Sequence, residues 1–204
     1  MNILAIGSHP DDIEFGCGGT LARYAASGHR VIMLVVTGGE QGGVSATRRK
    51  EQQAAADILK AAEVIFGAYE DTRVPLTREF ISYLEDILQR TRPHMIFVHH
   101  GEETHQDHRA VHTATLSAAR YVPNLLFYEG PTTIGFQPRI FVDIRGTLDQ
   151  KMRALEAHAS QVQKTNIPNT NILEMARATA VFRGTQGRVP AAEAFRSARL
   201  FLEP

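Results

Sequence analysis

The chain has a single cysteine, no tryptophan and no excess of either charge. Cys17 is the one cysteine among 204 residues, so no disulfide forms within the chain. Lys and Arg total 22, as do Asp and Glu, which gives a formal net charge of zero. This balance argues against a protein that binds polyanions through counterion release, and we expect no nucleic-acid partner.

Long apolar runs and a charged leader are also missing. No segment approaches the roughly 20 apolar residues that cross a bilayer, so we expect no membrane association. Residues 2–7 already have the composition of a domain strand, and no basic segment of a signal peptide precedes them. These absences predict a cytoplasmic protein.

The remaining composition favours one globular domain over residues 1–204. The 43% hydrophobic content supplies a substantial core for this length. Short apolar runs alternate with helical segments: strands are predicted at 2–7, 30–36, 63–66 and 95–99, and helices at 20–27, 46–62 and 76–91. This alternation predicts a single-domain α/β fold, with a Rossmann-like parallel sheet covered by helices on both faces.

The last third of the chain is less regular. Further strands are predicted at 125–128 and 140–144, a helix at 147–160, a polar loop at 166–171 and a short element at 191–195, before a final apolar stretch at 200–202. Near the other end, Gly16–Gly19 predicts a glycine loop that passes close beneath a ligand site.

Two short motifs carry the chemistry. His9-Pro10-Asp11-Asp12 follows the first strand, and His105-Gln106-Asp107-His108 follows the fourth. Ligands of parallel sheets bind beyond the carboxyl ends of the strands, so both motifs belong at one edge. Catalytic zinc sites have three protein ligands and one open position, and the set His9, Asp12 and His108 supplies three. Such a site also accepts iron, cobalt or manganese.

Other side chains of the motifs suit catalysis beside a metal. Asp11 neighbours a ligand and is the candidate general base. His105 lies one helical turn before His108 and can stabilise an oxyanion or protonate a leaving amine. Asp107 can orient an imidazole by accepting a ring N–H bond.

Simpler interpretations remain open at several positions. Pro and Asp favour turns for backbone reasons, and Asp107 suits the first turn of any helix. Arg49 and Asp71 are also compatible with surface charges, and Cys17 with a packed residue. A dinucleotide loop at Gly16–Gly19 is weak, because Leu21 stands where a third glycine is needed. Roles are left open for four histidines: His99, His100, His112 and His158.

The motifs resemble those of the zinc-dependent de-N-acetylases called PIG-L-like or LmbE-like. The resemblance is strongest over residues 1–120. It is carried by His9-Pro10-Asp11-Asp12-Ile13-Glu14, Gly16 to Thr20 and His105-x-Asp107-His108, with weaker matches at Arg49-Lys50-Glu51, Asp71-Thr72-Arg73, Lys151, His158-Ala159-Ser160-Gln161 and Glu193-Ala194-Phe195.

The resemblance implies a hydrolase that removes the acetyl group from an N-acetylglucosamine-type sugar conjugate. It implies zinc on His9, Asp12 and His108, Asp11 as general base, and His105 as the group assisting the carbonyl oxygen and the amine. Asp107 would tune His105, and Arg49 and Asp71 would contact the sugar. A homo-oligomer is implied, a hexamer being one arrangement.

Two other functions stay open from the sequence. One is an amidase that acts on a larger acyl amide of a related sugar conjugate. The other is a nucleotide-binding module of Rossmann-like fold without hydrolytic activity. The aglycone of a sugar substrate is not determined by any motif.

Overall fold

Seven strands form one sheet in a computed structural model, which describes residues 1–201. The strands are β1 (Asn2–Gly7), β2 (Arg30–Thr37), β3 (Glu63–Tyr69), β4 (Met95–His99), β5 (Asn124–Tyr128), β6 (Ile140–Asp143) and β7 (Ala192–Arg199). The helices are α1 (Asp12–Ala26), α2 (Ser45–Leu59), α3 (Arg78–Thr91), α4 (Gln106–Ala118), α5 (Leu148–Glu156) and α6 (Ile172–Gly187).

The strand order is β3-β2-β1-β4-β5-β7-β6. Strands β1 to β5 are mutually parallel, whereas β7 runs antiparallel to both β5 and β6. The predicted α/β fold is therefore confirmed, with one reversed strand that the apolar pattern did not indicate.

Both faces of the sheet are buried. Along β1, Ile3 and Ala5 belong to one core cluster, and Leu4 and Ile6 belong to another. Helices α1, α2 and α5 cover the first face, and α3 and α4 cover the second. Helix α6 packs beside α5 against β6 and β7. Two-sided burial explains why the central strands are almost continuously apolar.

The glycine loop predicted at Gly16–Gly19 is wrong, since α1 begins at Asp12 and contains these glycines. A Cβ atom on Gly16 would lie 2.1 Å from Cδ2 of Tyr128, and one on Gly19 would lie 3.0 Å from Ile144. The glycines therefore let α1 pack closely against its neighbours.

The C-terminal third departs most from the prediction. Helix α6 was not predicted, although Asn171 and Glu174 form a capping box at its start. Helix α5 ends at Glu156, so the predicted 147–160 helix is too long. The short element at 191–195 is the start of β7. The apolar stretch at 200–202 ends outside the described residues.

The order of strands places β1 between β2 and β4, so the chain leaves β1 on one side and returns on the other. Such a point of reversal opens a crevice at the carboxyl ends of the two central strands. His9 follows β1, and α4 follows β4, so both motifs reach this crevice. Among residues 1–201, no helix has the length and apolarity that a membrane crossing requires.

Candidate metal and active site

A cavity of about 370 Å³ lies at the carboxyl ends of β1 and β4. Residues of both sequence motifs line it: His9, Asp11, Asp12, His105 and His108. Phe15 and Met175 add apolar surface, and Gln161 and Lys164 add polar surface from the segment between α5 and α6. The convergence of the two motifs that the sequence predicted is thus confirmed.

Three side chains present their ligand atoms to one point. His9 Nδ1 lies 3.3 Å from His108 Nε2. Asp12 completes the triangle, with Oδ2 at 3.4 Å from His9 Nδ1 and Oδ1 at 3.4 Å from His108 Nε2. Two atoms that bind one zinc ion tetrahedrally at 2.0–2.1 Å lie about 3.3–3.4 Å apart. Each of the three distances therefore matches a pair of ligands on one ion, with Asp12 reaching the two imidazoles through different oxygens.

Carboxylates hold the opposite nitrogens of both imidazoles. His9 Nε2 lies 2.9 Å from Asp71 Oδ1 and 3.1 Å from Asp107 Oδ2. His108 Nδ1 lies 3.5 Å from Glu103 Oε2. Carboxylates in such positions fix the tautomer and the ring orientation of metal-binding histidines. His9 therefore turns Nδ1, and His108 turns Nε2, toward the shared point.

The charges around this point favour a cation. Burial lowers the pKa of His108, but the Asp12 carboxylate outweighs burial and raises it to about 9. Burial raises the pKa of Asp12, yet His108 and His99 hold it well below its usual range. The donor set of two imidazoles and a carboxylate therefore suits a divalent metal ion.

Asp11 adopts a backbone conformation that is rare outside glycine, with φ 98° and ψ −24°. Its carboxylate Oδ2 lies 3.3 Å from a guanidinium nitrogen of Arg48. Burial and the neighbouring Asp12 charge raise the pKa of Asp11 to about 6. Strained residues cluster at functional sites, and a carboxylate with this pKa can act as a base near neutral pH.

His105 caps the start of α4 through its ring. Its Nδ1 accepts a hydrogen bond of 3.2 Å from the Asp107 backbone N–H. Burial lowers the pKa of His105, which favours the neutral ring. A neutral imidazole that accepts at Nδ1 carries its proton on Nε2. His105 thus has one proton to donate in the cavity.

Asp107 contacts the His9 imidazole directly. Its carboxylate contacts His9 and accepts backbone N–H bonds from Thr72 at 2.7 Å and from Val74 at 3.1 Å. Asp107 therefore orients His9 by direct contact, and it acts on His105 through its charge, which raises the pKa of that ring against the larger lowering by burial.

Of the two residues expected to contact the sugar, Asp71 lines the cavity and Arg49 does not. Asp71 lines the cavity, but its carboxylate is engaged with His9 and with the Gln41 backbone N–H at 2.9 Å. Arg49 is exposed, donates to the Gly67 carbonyl at 3.2 Å and lies over the Phe66 ring. Arg49 therefore does not line this cavity.

The arginine that lines the cavity is Arg48. It is buried, and its guanidinium donates to the carbonyls of Gly39 at 2.8 Å and Pro10 at 2.7 Å. Consecutive helical residues are about 100° apart around the axis, so only one of the two arginines on α2 can face the site.

Several residues of the site were missed or left open by the sequence. Glu103 accepts from the Thr104 backbone N–H at 2.7 Å while facing His108, and no motif marked it. The His99 ring stacks on His108 at 3.9 Å, and burial lowers its pKa to about 4. His112 Nδ1 contacts the His99 carbonyl at 2.8 Å, which engages one of its two ring nitrogens away from the three ligand atoms.

Known proteins with similar sequences include members of one enzyme family. Residues 4–119 match the PIG-L family model, described as GlcNAc-PI de-N-acetylase. The chain is 39% identical over 167 residues to the uncharacterized deacetylase YaiS of Escherichia coli K12, covering 78% of this chain and 90% of that protein. It is 28% identical to the diacetylchitobiose deacetylase of Thermococcus kodakarensis, covering 78% of this chain and 69% of that one.

A solved structure shows the same fold. The conserved protein TT1542 from Thermus thermophilus superposes with a TM-score of 0.87 at 30% identity, covering 99% of this chain and 96% of that one. The family match spans both motifs, and the E. coli relative covers most of the chain. This chain therefore belongs to the PIG-L family, the family described as GlcNAc-PI de-N-acetylase.

Proposed function

We propose that this chain is a zinc-dependent hydrolase that removes the acetyl group from an N-acetylglucosamine-type sugar conjugate. The observation that carries the proposal is the triangle of His9, Asp12 and His108, with the Asp11 carboxylate lining the same cavity. Family membership supports the acetyl group and the amino sugar, since the family model and a curated relative are named for such substrates.

His9 Nδ1, Asp12 and His108 Nε2 hold the metal in this proposal. When bound, zinc supplies a Lewis acid that polarises the acetyl carbonyl and acidifies water. Asp71, Asp107 and Glu103 keep the two imidazoles in the binding orientation through their outer nitrogens.

Asp11 takes a proton from the attacking water, whose oxygen bonds to the acetyl carbon. His105 donates its Nε2 hydrogen bond to the carbonyl oxygen as negative charge develops there. The C–N bond then breaks, and the proton that Asp11 removed goes to the amine nitrogen. The products are acetate and a free amino sugar.

The cavity walls support a sugar-sized substrate. Its volume of about 370 Å³ suits a small molecule. Gln161, Lys164 and Asn166 offer polar groups for hydroxyls, and Phe15 and Met175 offer apolar surface. We assign the sugar to this side, with the acetyl group at the histidines.

A substrate panel tests the reaction class. Zinc-loaded protein is incubated with N-acetylglucosaminides of different aglycones and with N-butanoyl counterparts, and free amine is measured with and without a chelator. We expect release from the acetyl members that the chelator abolishes. Release only from the larger acyl members would favour the alternative amidase, and no release with zinc bound would contradict the proposal.

A further inference from the structure

A buried polar chain behind Asp11 takes no part in the proposed reaction. The Asp11 backbone N–H donates to Gln52 Oε1 at 3.3 Å, and Gln52 Nε2 donates to Glu14 Oε1 at 2.6 Å. The other Glu14 oxygen, Oε2, lies 3.5 Å from Nε2 of His158. Gln52, Glu14 and His158 are all at most 1% exposed.

The order of hydrogen-bond donors and acceptors from Asp11 through Gln52 to Glu14 follows from the chemistry of these groups. An ionised carboxylate only accepts hydrogen bonds, so the Gln52 NH₂ group must face Glu14. The Gln52 oxygen is then left to accept from the Asp11 N–H. His158 Nε2 lies 3.5 Å from the second carboxylate oxygen, an approach of opposite charges when the ring is protonated but not a hydrogen bond. Glu14 therefore determines which end of the Gln52 amide meets Asp11.

Asp11 needs such support because a left-handed backbone is costly for a residue with a Cβ atom. Arg48 and Gln52, four positions apart on α2, both contact it. Arg48 donates to the Pro10 carbonyl at 2.7 Å and to the Asp11 carboxylate at 3.3 Å, while Gln52 accepts the backbone N–H. The Asp11 side chain makes no capping bond to α1, so its carboxylate stays available to the cavity.

We infer that Gln52 and Glu14, with His158 beside the far oxygen of Glu14, are positioning residues that hold Asp11 in the left-handed conformation, which keeps its carboxylate at the cavity. This inference rests on the proposed function, in which Asp11 is the base. A misplaced base would slow the chemical step and leave metal binding intact, because none of the three residues contributes to the triangle of ligand atoms.

The first test replaces the amide and keeps its length. Gln52→Met should lower kcat roughly tenfold to hundredfold, as expected for a misplaced catalytic group, with KM and zinc content unchanged. In metal-free protein, amide exchange at Asp11, followed by NMR, should become faster. The matched control is Gln53→Met, since Gln53 is exposed on the same helix and bonds to Asp57. This control should change neither kcat nor the amide exchange rate at Asp11.

The second test exchanges the two partners. Gln52→Glu alone places two carboxylates side by side and should lower kcat. The double variant Gln52→Glu/Glu14→Gln restores the order of donors and acceptors: the new carboxylate accepts from the Asp11 N–H and from the new amide, whose oxygen faces His158. It should recover kcat to within about threefold of the parent chain.

Failure of the inference differs from failure of the proposed function. An unaltered chain that releases no amine with zinc bound would remove the proposed function. An active chain whose Gln52→Met variant keeps full kcat and slow Asp11 amide exchange would overturn the inference alone. A double variant as impaired as Gln52→Glu, with an unchanged unfolding midpoint, would also overturn it.

Discussion

His9 Nδ1 lies 3.3 Å from His108 Nε2, although the two residues are 99 positions apart in the chain. Their outer nitrogens face carboxylates, so the inner nitrogens turn toward each other. Two imidazole lone pairs at this distance repel each other unless a proton or a metal ion lies between them. This pair and Asp12 form the basis of the metal assignment.

Removing one ligand tests that assignment. His108→Ala should lose zinc, because two remaining ligands bind the ion far more weakly. His112→Ala is the matched control, since His112 lies one turn further along α4 and contacts the His99 carbonyl. Elemental analysis after dialysis measures zinc per chain. Full zinc content in His108→Ala would remove this residue from the ligand set.

Asp11→Asn tests the base. The amide keeps the size of the side chain but cannot take up the proton, so kcat should fall roughly 10²- to 10⁴-fold. Zinc content should stay at the parent value, because Asp11 contributes no atom to the triangle. A variant with normal zinc and normal kcat would show that another group removes the proton.

Substitutions of the two neighbouring arginines of α2 should have different effects on activity, because Arg48 lines the cavity and Arg49 is exposed. Arg48→Met should lower activity at least tenfold, because its guanidinium holds the Pro10 carbonyl and the Asp11 carboxylate. Arg49→Met should change activity less than twofold, since Arg49 is directed to β3. Steady-state kinetics on both variants checks this, and the reverse ranking would restore the original sequence prediction.

Glu103 makes the metal-free protein sensitive to acid. Burial raises its pKa, but the nearby His108 ring and the polar groups of Thr132 and Thr133 outweigh burial and lower it to about 2 from 4.5. A carboxylate with a lowered folded-state pKa stabilises the fold fully above about pH 4.5, and this stabilisation is lost as pH falls toward 2.

The variant Glu103→Gln should therefore be less stable than the parent chain at pH 7, by roughly 2 kcal/mol. The difference should shrink as pH falls from 4.5 toward 2, because over this range the Glu103 carboxylate of the unfolded parent chain takes up a proton while that of the folded chain stays charged. Urea unfolding of both metal-free proteins at several pH values measures it. A difference that is constant with pH would contradict the role of the Glu103 charge.

The sequence predicts the features that depend on local pattern. The strands 2–7 and 95–99 coincide with β1 and β4, because continuous apolar runs are typical of buried parallel strands. Both motifs follow these strands, so their convergence was predictable from topology. The antiparallel direction of β7 was not, because it depends on pairing with β5 and β6, which are distant in the sequence. The buried Glu193 within β7 is likewise explained only by its Lys151 partner at 2.6 Å.

Within the site, the sequence predicts which residue types are present but not the direction in which each side chain points. The residue types at His9, Asp12 and His108 suggest ligands, and the structure brings their atoms together. Which arginine of α2 faces the cavity depends on the rotation of that helix against α1. The partner of Asp107 depends on the approach of residues 71–74 to α4. These tertiary details place Arg48 and Glu103 at the site and Arg49 outside it.

The most direct test titrates metal-free protein with zinc and measures acetate release from an N-acetylglucosaminide. We predict that activity rises in proportion to added zinc, saturates at one ion per chain and disappears with a chelator. Equal acetate release by metal-free and zinc-loaded protein, or none from any N-acetyl sugar with one zinc bound, would contradict a zinc-dependent deacetylase.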